Sequence, residues 1–339
     1  MTGVSLTSLT PPALLEVENL TIRFPSATPV RNVGFTVREG ETVALVGESG
    51  SGKSLIASSL LRLLPAGARL DEGSIRFAGQ DLTGLRQAEM AALRGRQIAM
   101  IFQEPSTALD PVMTIGRQIA EVLQWHEGLS ARAARARTIE LLDLVRIPDP
   151  VHRFGEYPHQ LSGGMRQRVM IAMAVACRPR LLIADEPTTA LDVTVQAQVL
   201  SLLDQLRRDL SMGVLLITHD LGVVGQWADR VVVLYAGRKL EELPAEKLTR
   251  QSLHPYSRGL VAASPRVGRT GQGGMLAEIP GQIAGANRLS GCPFLPRCAQ
   301  AQPVCGEAMP PLLPRGPGHA VACPFTPALE GIDAAAVRY

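Results

Sequence analysis

The chain has 339 residues, 46% of them hydrophobic and only 4% aromatic, with a formal net charge of +3. This length fits two domains, or one large domain with an appendage, and Leu, Val, Ile and Ala must fill the core. The near-neutral charge gives no support to nucleic-acid binding through bulk electrostatics, and no run approaches the roughly eighteen apolar residues of a membrane span.

Met1 to Pro12 is polar and Ser/Thr-rich, without the basic start and apolar stretch of a secretory signal. The cysteines are therefore expected in a reducing compartment. Leu14 to Phe24 alternates as a strand does, and Val33 to Val37 reads as its antiparallel partner. Thr42 to Val46 is a short apolar strand, and Leu55 to Leu64 is helix-like. Gly73 to Ala78 and Gln97 to Phe102 are two more strands. Ile115 to Val145 is mostly helical, interrupted at Gly128 and ended by Pro148 and Pro150. A helix from Met165 to Cys177 precedes a buried strand from Arg180 to Ala184. Val195, Val199, Leu202, Leu203 and Leu206 have helical spacing within Val193 to Leu210, and Val214 to Thr218 and Val231 to Tyr235 are apolar strands. Strands alternating with helices predict a mainly parallel sheet covered by helices. From about Ser264 the texture turns to Pro, Gly and Arg, periodicity fades, and four of the five cysteines appear, which marks a domain boundary.

Three motifs carry chemistry. Gly47-Glu48-Ser49-Gly50-Ser51-Gly52-Lys53-Ser54 lies between a strand and a helix, the context in which G-x-x-x-x-G-K-[ST] cradles nucleotide phosphates. Backbone N–H groups and the helix N-terminus would face the anion, Lys53 would reach the β- and γ-phosphates, and Ser54 would bind Mg²⁺. The apolar strand Leu181 to Ala184 ends in Asp185-Glu186. That delivers two carboxylates to the sheet edge where open α/β folds bind ligands, Asp185 for the Mg²⁺ shell and Glu186 to orient or deprotonate a water. Leu161-Ser162-Gly163-Gly164-Met165-Arg166-Gln167 opens a helix with a second anion site of the same physical kind. One nucleotide does not need two such sites from one chain, but two chains set head to tail could sandwich each ATP between them.

Leu161 to Gln167 resembles the signature motif of the ABC-transporter ATPases, with Ser162, Gly163, Gly164 and Gln167 expected at the partner's ATP. Further motifs follow in that family's order. Gln103 resembles the Q-loop glutamine that reaches Mg²⁺ and the water, and Leu191-Asp192 resembles the D-loop. His219 resembles the switch histidine, and Phe24 is a candidate for the aromatic that stacks on adenine, against the reading that it is an ordinary strand residue. The resemblance implies a phosphate-loop, RecA-like α/β core with an antiparallel β subdomain and a helical subdomain over about residues 105–177. The domains implied are an ATPase domain over residues 13–263 and a Pro/Cys-rich C-terminal domain over 264–330. It also implies ATP and Mg²⁺ as ligands.

Cys292, Cys298, Cys305 and Cys323 are separated by five, six and seventeen residues, without the C-x₂₋₄-C pairs usual for structural zinc. Four thiolates could hold an iron–sulfur cluster or zinc, or stay free. Gly291 to Cys298, His254-Pro255-Tyr256 and Ile279-Pro280-Gly281 resemble the C-terminal region of oligopeptide, dipeptide and nickel uptake ATPases, some of which hold a [4Fe–4S] cluster on these cysteines. Cys177 reads as a small core residue. The expectation is a peripheral ATPase on the cytoplasmic face of the inner membrane. Its implied partners are a second, related ATPase subunit, two integral-membrane permease subunits docking near Ser106 to Glu121, and a solute-binding protein, with no nucleic acid. A soluble ABC-type ATPase acting on nucleic acid or ribosomes is the alternative. A nucleotide kinase leaves Ser162-Gly163-Gly164 unexplained.

Overall fold

Continuous apolar runs become buried parallel strands in the computed structural model, which describes residues 13–189, 191–264, 278–283 and 285–326. Met1 to Pro12, and residues 265–277 and 327–330 of the expected C-terminal domain, lie outside the described residues. In chain order the elements are β1 (Leu15–Phe24), β2 (Ala27–Val37), β3 (Thr42–Val46), α1 (Lys53–Leu60), β4 (Arg69–Phe77), β5 (Gln80–Asp81), α2 (Gln87–Leu93) and β6 (Ile98–Ile101). Next come the helices α3 (Pro105–Ala108), α4 (Ile115–Glu127), α5 (Ala131–Leu144), α6 (Pro150–Arg153) and α7 (Gly163–Val175). The sequence continues with β7 (Leu181–Asp185), α8 (Val193–Leu210), β8 (Gly213–Ile217), α9 (Leu221–Trp227), β9 (Arg230–Tyr235) and β10 (Arg238–Pro244). Last are α10 (Leu248–Gln251), α11 (Pro255–Ala263), β11 (Leu313–Gly316) and β12 (His319–Val321).

The main sheet has eight strands in the order β11-β12-β10-β9-β3-β8-β7-β6, parallel from β9 to β6. A second, antiparallel sheet has the order β2-β1-β4-β5. Alternate residues of a strand face opposite ways, and the core divides accordingly. Val43, Leu45, Ile183, Leu215 and Ile217 pack against α1, α2 and the antiparallel sheet. Ala99, Leu182, Ala184 and Leu216 face α7, α8 and the helical subdomain. Ala44, Val46, Val231 and Val233 share a third cluster with Tyr256 and, from the C-terminal region, Cys292 and Phe294.

Local signals set the helix ends. Gly128 closes α4 at φ 67°, and the Ser130 side chain then caps α5. Asp192 accepts from the Val195 N–H at 3.0 Å and starts α8. Three differences from the sequence reading have physical causes. β2 begins six residues earlier than the apolar run because its first residues pair with Ile22 and Phe24 at the end of β1. β10, rich in charge, is a strand because Arg230 and Lys239 neutralise Glu242. β12, a strand the sequence does not predict, pairs with β10, so the Pro-rich tail adds to the main sheet. Among the described residues no helix is long and apolar enough to cross a membrane.

Candidate nucleotide site

The motif residues stand at the C-terminal ends of adjacent strands. β3 runs into the glycine loop, β8 into Thr218-His219, β7 into Asp185-Glu186 and β6 towards Gln103. Gly47 has φ 152°, and a Cβ there would run into the Leu234 carbonyl of β9, so the loop needs glycine to leave the sheet. Ser49 and Gly50 are exposed while Ser51 is buried, its carbonyl accepting from the Gly237 N–H at 3.1 Å. Lys53 begins α1 and is buried, its Nζ donating to the Gly47 and Glu48 carbonyls at 2.7 and 3.1 Å. Burial lowers the lysine's pKa, and the nearby Glu186, Asp185 and Glu48 oppose that shift.

Ser54 Oγ donates to Asp185 Oδ1 at 3.2 Å, joining loop to strand end. Asp185 is 4% exposed, and burial raises its pKa, partly countered by the Ser54 hydrogen bond. A buried acid paired with a hydroxyl at the mouth of a phosphate loop is a donor set that suits a hard cation such as Mg²⁺. Glu186 has φ 46°, a left-handed conformation that costs a non-glycine residue about 1–3 kcal/mol. Its N–H donates to the Ile217 carbonyl at 2.9 Å, which holds the strained turn against β8. Three side chains converge on its carboxylate: Gln103 Nε2 at 3.1 Å, Thr189 Oγ1 at 2.8 Å and His219 Nδ1 at 3.3 Å. Thr189 escaped the sequence reading; its only signal is a hydroxyl three residues after the acid. The structure pairs Ser54 with Asp185, gathers Gln103 and His219 on Glu186, and holds Lys53 within the glycine loop, all at the same edge of the sheet.

Phe24 is half-buried and lines a cavity of about 280 Å³ with Thr28, Arg31, Asn287 and Arg288. Ser162 caps α7, its Oγ accepting from the Met165 N–H at 3.4 Å, and Ser162 and Gly163 are exposed. A Cβ on Gly164 would lie 2.7 Å from Val195 Cγ1, so glycine lets α7 meet the start of α8. Gln167 is oriented differently from Ser162 in this single chain. It is buried, and its Nε2 lacks a partner among the described residues, because five positions beyond Ser162 the helix has turned it inward. It does not share the exposed face of Ser162 and Gly163.

Cys292, Cys298, Cys305 and Cys323 all line one small cavity of about 20 Å³ under Phe325. Burial, reinforced by the other three sulfurs, pushes the Cys292 thiol up to about 11. The donors suit a soft metal, yet among the described residues no group of three or more His, Cys, Asp or Glu stands as a metal-holding set. A cavity of this size holds about one water, so the thiols would have to separate to admit a four-iron cluster. This arrangement gives the iron–sulfur expectation no support. Cys177 is buried just beyond the end of α7, as a core residue would be.

A phosphate loop on a parallel sheet, with a strand-end acid pair and an antiparallel β subdomain, defines an ATP-binding-cassette ATPase. The family model described as "ABC transporter" matches residues 30–189, and that described as "Oligopeptide/dipeptide transporter, C-terminal region" matches residues 240–305. A Brucella abortus (strain 2308) protein named as a peptide import ATP-binding protein is 51% identical over 322 residues, covering 94% of this chain and 96% of its own. The oligopeptide transport ATP-binding protein OppD of Salmonella typhimurium is 48% identical over 322 residues, covering 94% of this chain and 95% of its own. Among solved structures, the dimeric ATP-binding cassette MJ0796 with ADP and Pi matches at TM-score 0.61 and 28% identity, covering 68% of this chain and 98% of that one. The chain belongs to the ABC-transporter ATP-binding subunits that carry the oligopeptide/dipeptide-type C-terminal region.

Proposed function

We propose that this chain is the ATP-hydrolysing subunit of a peptide importer, and that it turns over ATP at a site completed by a second ATPase. The observation that carries the reading is the convergence of Gln103, Thr189 and His219 on Glu186, beside the Lys53–Ser54–Asp185 group. Lys53 and the loop N–H groups hold the β- and γ-phosphates, and Phe24 stacks on the base. Ser54, Asp185 and Gln103 would hold Mg²⁺, which when bound would supply positive charge beside the phosphates. Glu186 accepts a proton from the water whose oxygen attacks the γ-phosphorus as the bond to ADP breaks. His219 and Gln103 orient that water and the γ-phosphate. Ser162, Gly163 and Gly164, at the exposed start of α7, meet the nucleotide held by the partner. MJ0796, the similar cassette, is a dimer in its solved structure. A soluble ATPase acting on nucleic acid finds no support in the relatives.

The partners are a related ATPase, two permease subunits and a solute-binding protein, at the cytoplasmic face of the inner membrane. Phe102, just before Gln103, and Val112, within the proposed docking segment Ser106 to Glu121, are large apolar residues left exposed. Functionally the chain divides into residues 13–263, which bind ATP, and 264–330, which brace them. A soft metal centre, [4Fe–4S] or zinc, on the four cysteines has only their shared cavity in its favour, and the thiols would have to separate to take it up. Co-expression with the permease subunits of a peptide importer tests the transport reading: the chain should co-purify with them in the membrane fraction, and a purely soluble protein refutes it. Iron, sulfide and zinc analysis of protein prepared without oxygen tests the centre; metal-free protein with four titratable thiols refutes it.

A further inference from the structure

We infer that Arg297, from the C-terminal region, is a positioning residue for the nucleotide site, acting by drawing the Glu48 carboxylate away from the phosphate position. Glu48 is the second residue of the glycine loop and neighbours Lys53. A free carboxylate there competes for the lysine and repels a triphosphate. Arg297 prevents this with a planar fork that has an acceptor on each side. Its Nη1 donates to both Glu48 oxygens, at 3.1 and 2.8 Å, and to the Tyr235 hydroxyl at 3.2 Å. Its Nη2 donates to the Ile279 carbonyl at 2.9 Å and its Nε to the Pro280 carbonyl at 2.7 Å. The Arg297 side chain is 5% exposed and the Glu48 side chain 28%, so the arginine is fixed and the glutamate is drawn to it.

The loop is braced at two further points by residues also remote in sequence. The Glu48 N–H donates to the Tyr256 hydroxyl at 2.8 Å, and Tyr256 is fully buried. Tyr235, Tyr256 and Phe294 pack edge-on and tilted against one another beside it, with ring centroids 4.6–5.3 Å apart. The Ile283 side chain lies over Gly50, 3.9 Å from where a Cβ would stand. Arg297 itself rides on the short turn between Cys292 and Cys298, its N–H bonded to the Phe294 carbonyl at 2.9 Å. The C-terminal region is therefore a wall of the phosphate loop, and Arg297 is its charged contact.

The test measures Mg-ATP affinity of the full chain by calorimetry, alongside KM and kcat. This inference rests on the nucleotide-site reading, so Lys53→Ala is the control: wild-type affinity that Lys53→Ala leaves intact refutes that reading, not this one. Arg297→Ala should raise Kd about tenfold, equivalent to about 1.4 kcal/mol. KM should rise with it while kcat falls less than threefold, because Glu186 is held from other strands. Arg297→Lys keeps the charge but not the fork and should fall between the two. Glu48→Gln combined with Arg297→Ala should restore Kd to within about threefold of wild type, since the uncompensated carboxylate is gone. A folded Arg297→Ala protein with wild-type Kd overturns the inference, as does a double variant no tighter than Arg297→Ala. If Arg297→Ala does not fold, a wild-type Kd in Arg297→Lys overturns it.

Discussion

Glu186→Gln separates chemistry from binding. Glutamine has the shape of glutamate, and the contacts indicate how it would sit. Its Oε1 can take the place of the glutamate oxygen that accepts from Thr189 at 2.8 Å and Gln103 at 3.1 Å. Its amide nitrogen then faces His219 Nδ1, now 3.3 Å from the other oxygen, and donates to it. The hydrogen bonds survive, and the expected stability change is under about 1 kcal/mol. What disappears is the ability to take a proton. Proton transfer to a positioned base is worth about 10²–10⁴-fold, so kcat should fall by that factor, raising the barrier by about 2.7–5.4 kcal/mol. Mg-ATP affinity should move less than about threefold, because Lys53 and the loop are untouched. The assay is steady-state phosphate release beside equilibrium nucleotide binding and thermal unfolding. Near-wild-type turnover in a folded variant would refute Glu186 as the base. A fall in turnover matched by an equal loss of affinity would refute the separation of roles.

Replacing the exposed Ser162 with Arg should leave this chain's own Mg-ATP binding intact while abolishing hydrolysis at the partner's nucleotide; lost binding in the variant alone would place Ser162 in its own site. Gly164→Val puts side-chain atoms into Val195, already 2.7 Å from a Cβ at this position, and should lower the melting temperature by several degrees; an unchanged melting temperature contradicts the close α7–α8 contact. Acid should weaken the fold through His254. Burial holds its pKa at about 4, below the usual 6.5, and its Nδ1 accepts from the Tyr256 N–H at 3.0 Å. A depressed histidine stabilises the fold above pH 6.5, and that stability is lost as pH falls towards 4. The loss is about 3 kcal/mol at 1.36 kcal/mol per pH unit. Urea unfolding across this range should show the slope, and His254→Asn should flatten it; an equal slope in the variant assigns the effect elsewhere.

How much was legible in the sequence depended on range. α8 was read at Val193–Leu210 because its apolar residues recur at helical spacing and Asp192 caps it. β3, β7 and β8 were legible because strands buried on both faces are continuously apolar. β10 was not: Glu241 is fully buried there only because His319 and the Leu253 and His254 N–H groups, remote in sequence, satisfy it. α9 holds Gly222 and Gly225, poor helix formers, and stands because Asp220 caps it and its apolar side packs on the sheet. The site followed the same rule. Each motif carries its geometry in contiguous residues, so Lys53, Asp185, Glu186 and His219 could be named. The Arg297–Glu48 contact joins residues 249 apart and has no local signature. The burial of Gln167 was not legible either, because its motif neighbours Ser162 and Gly163 are exposed while the helical turn takes it inward.

The most direct test of the account is ATP turnover by the whole importer in lipid vesicles, with this chain, its partner ATPase, the permeases and the binding protein. The account predicts that a peptide-loaded binding protein stimulates hydrolysis severalfold in the wild type, and that Glu186→Gln in this chain removes both the stimulation and peptide uptake. Hydrolysis indifferent to the loaded binding protein, or uptake that persists in the Glu186→Gln complex, would contradict it.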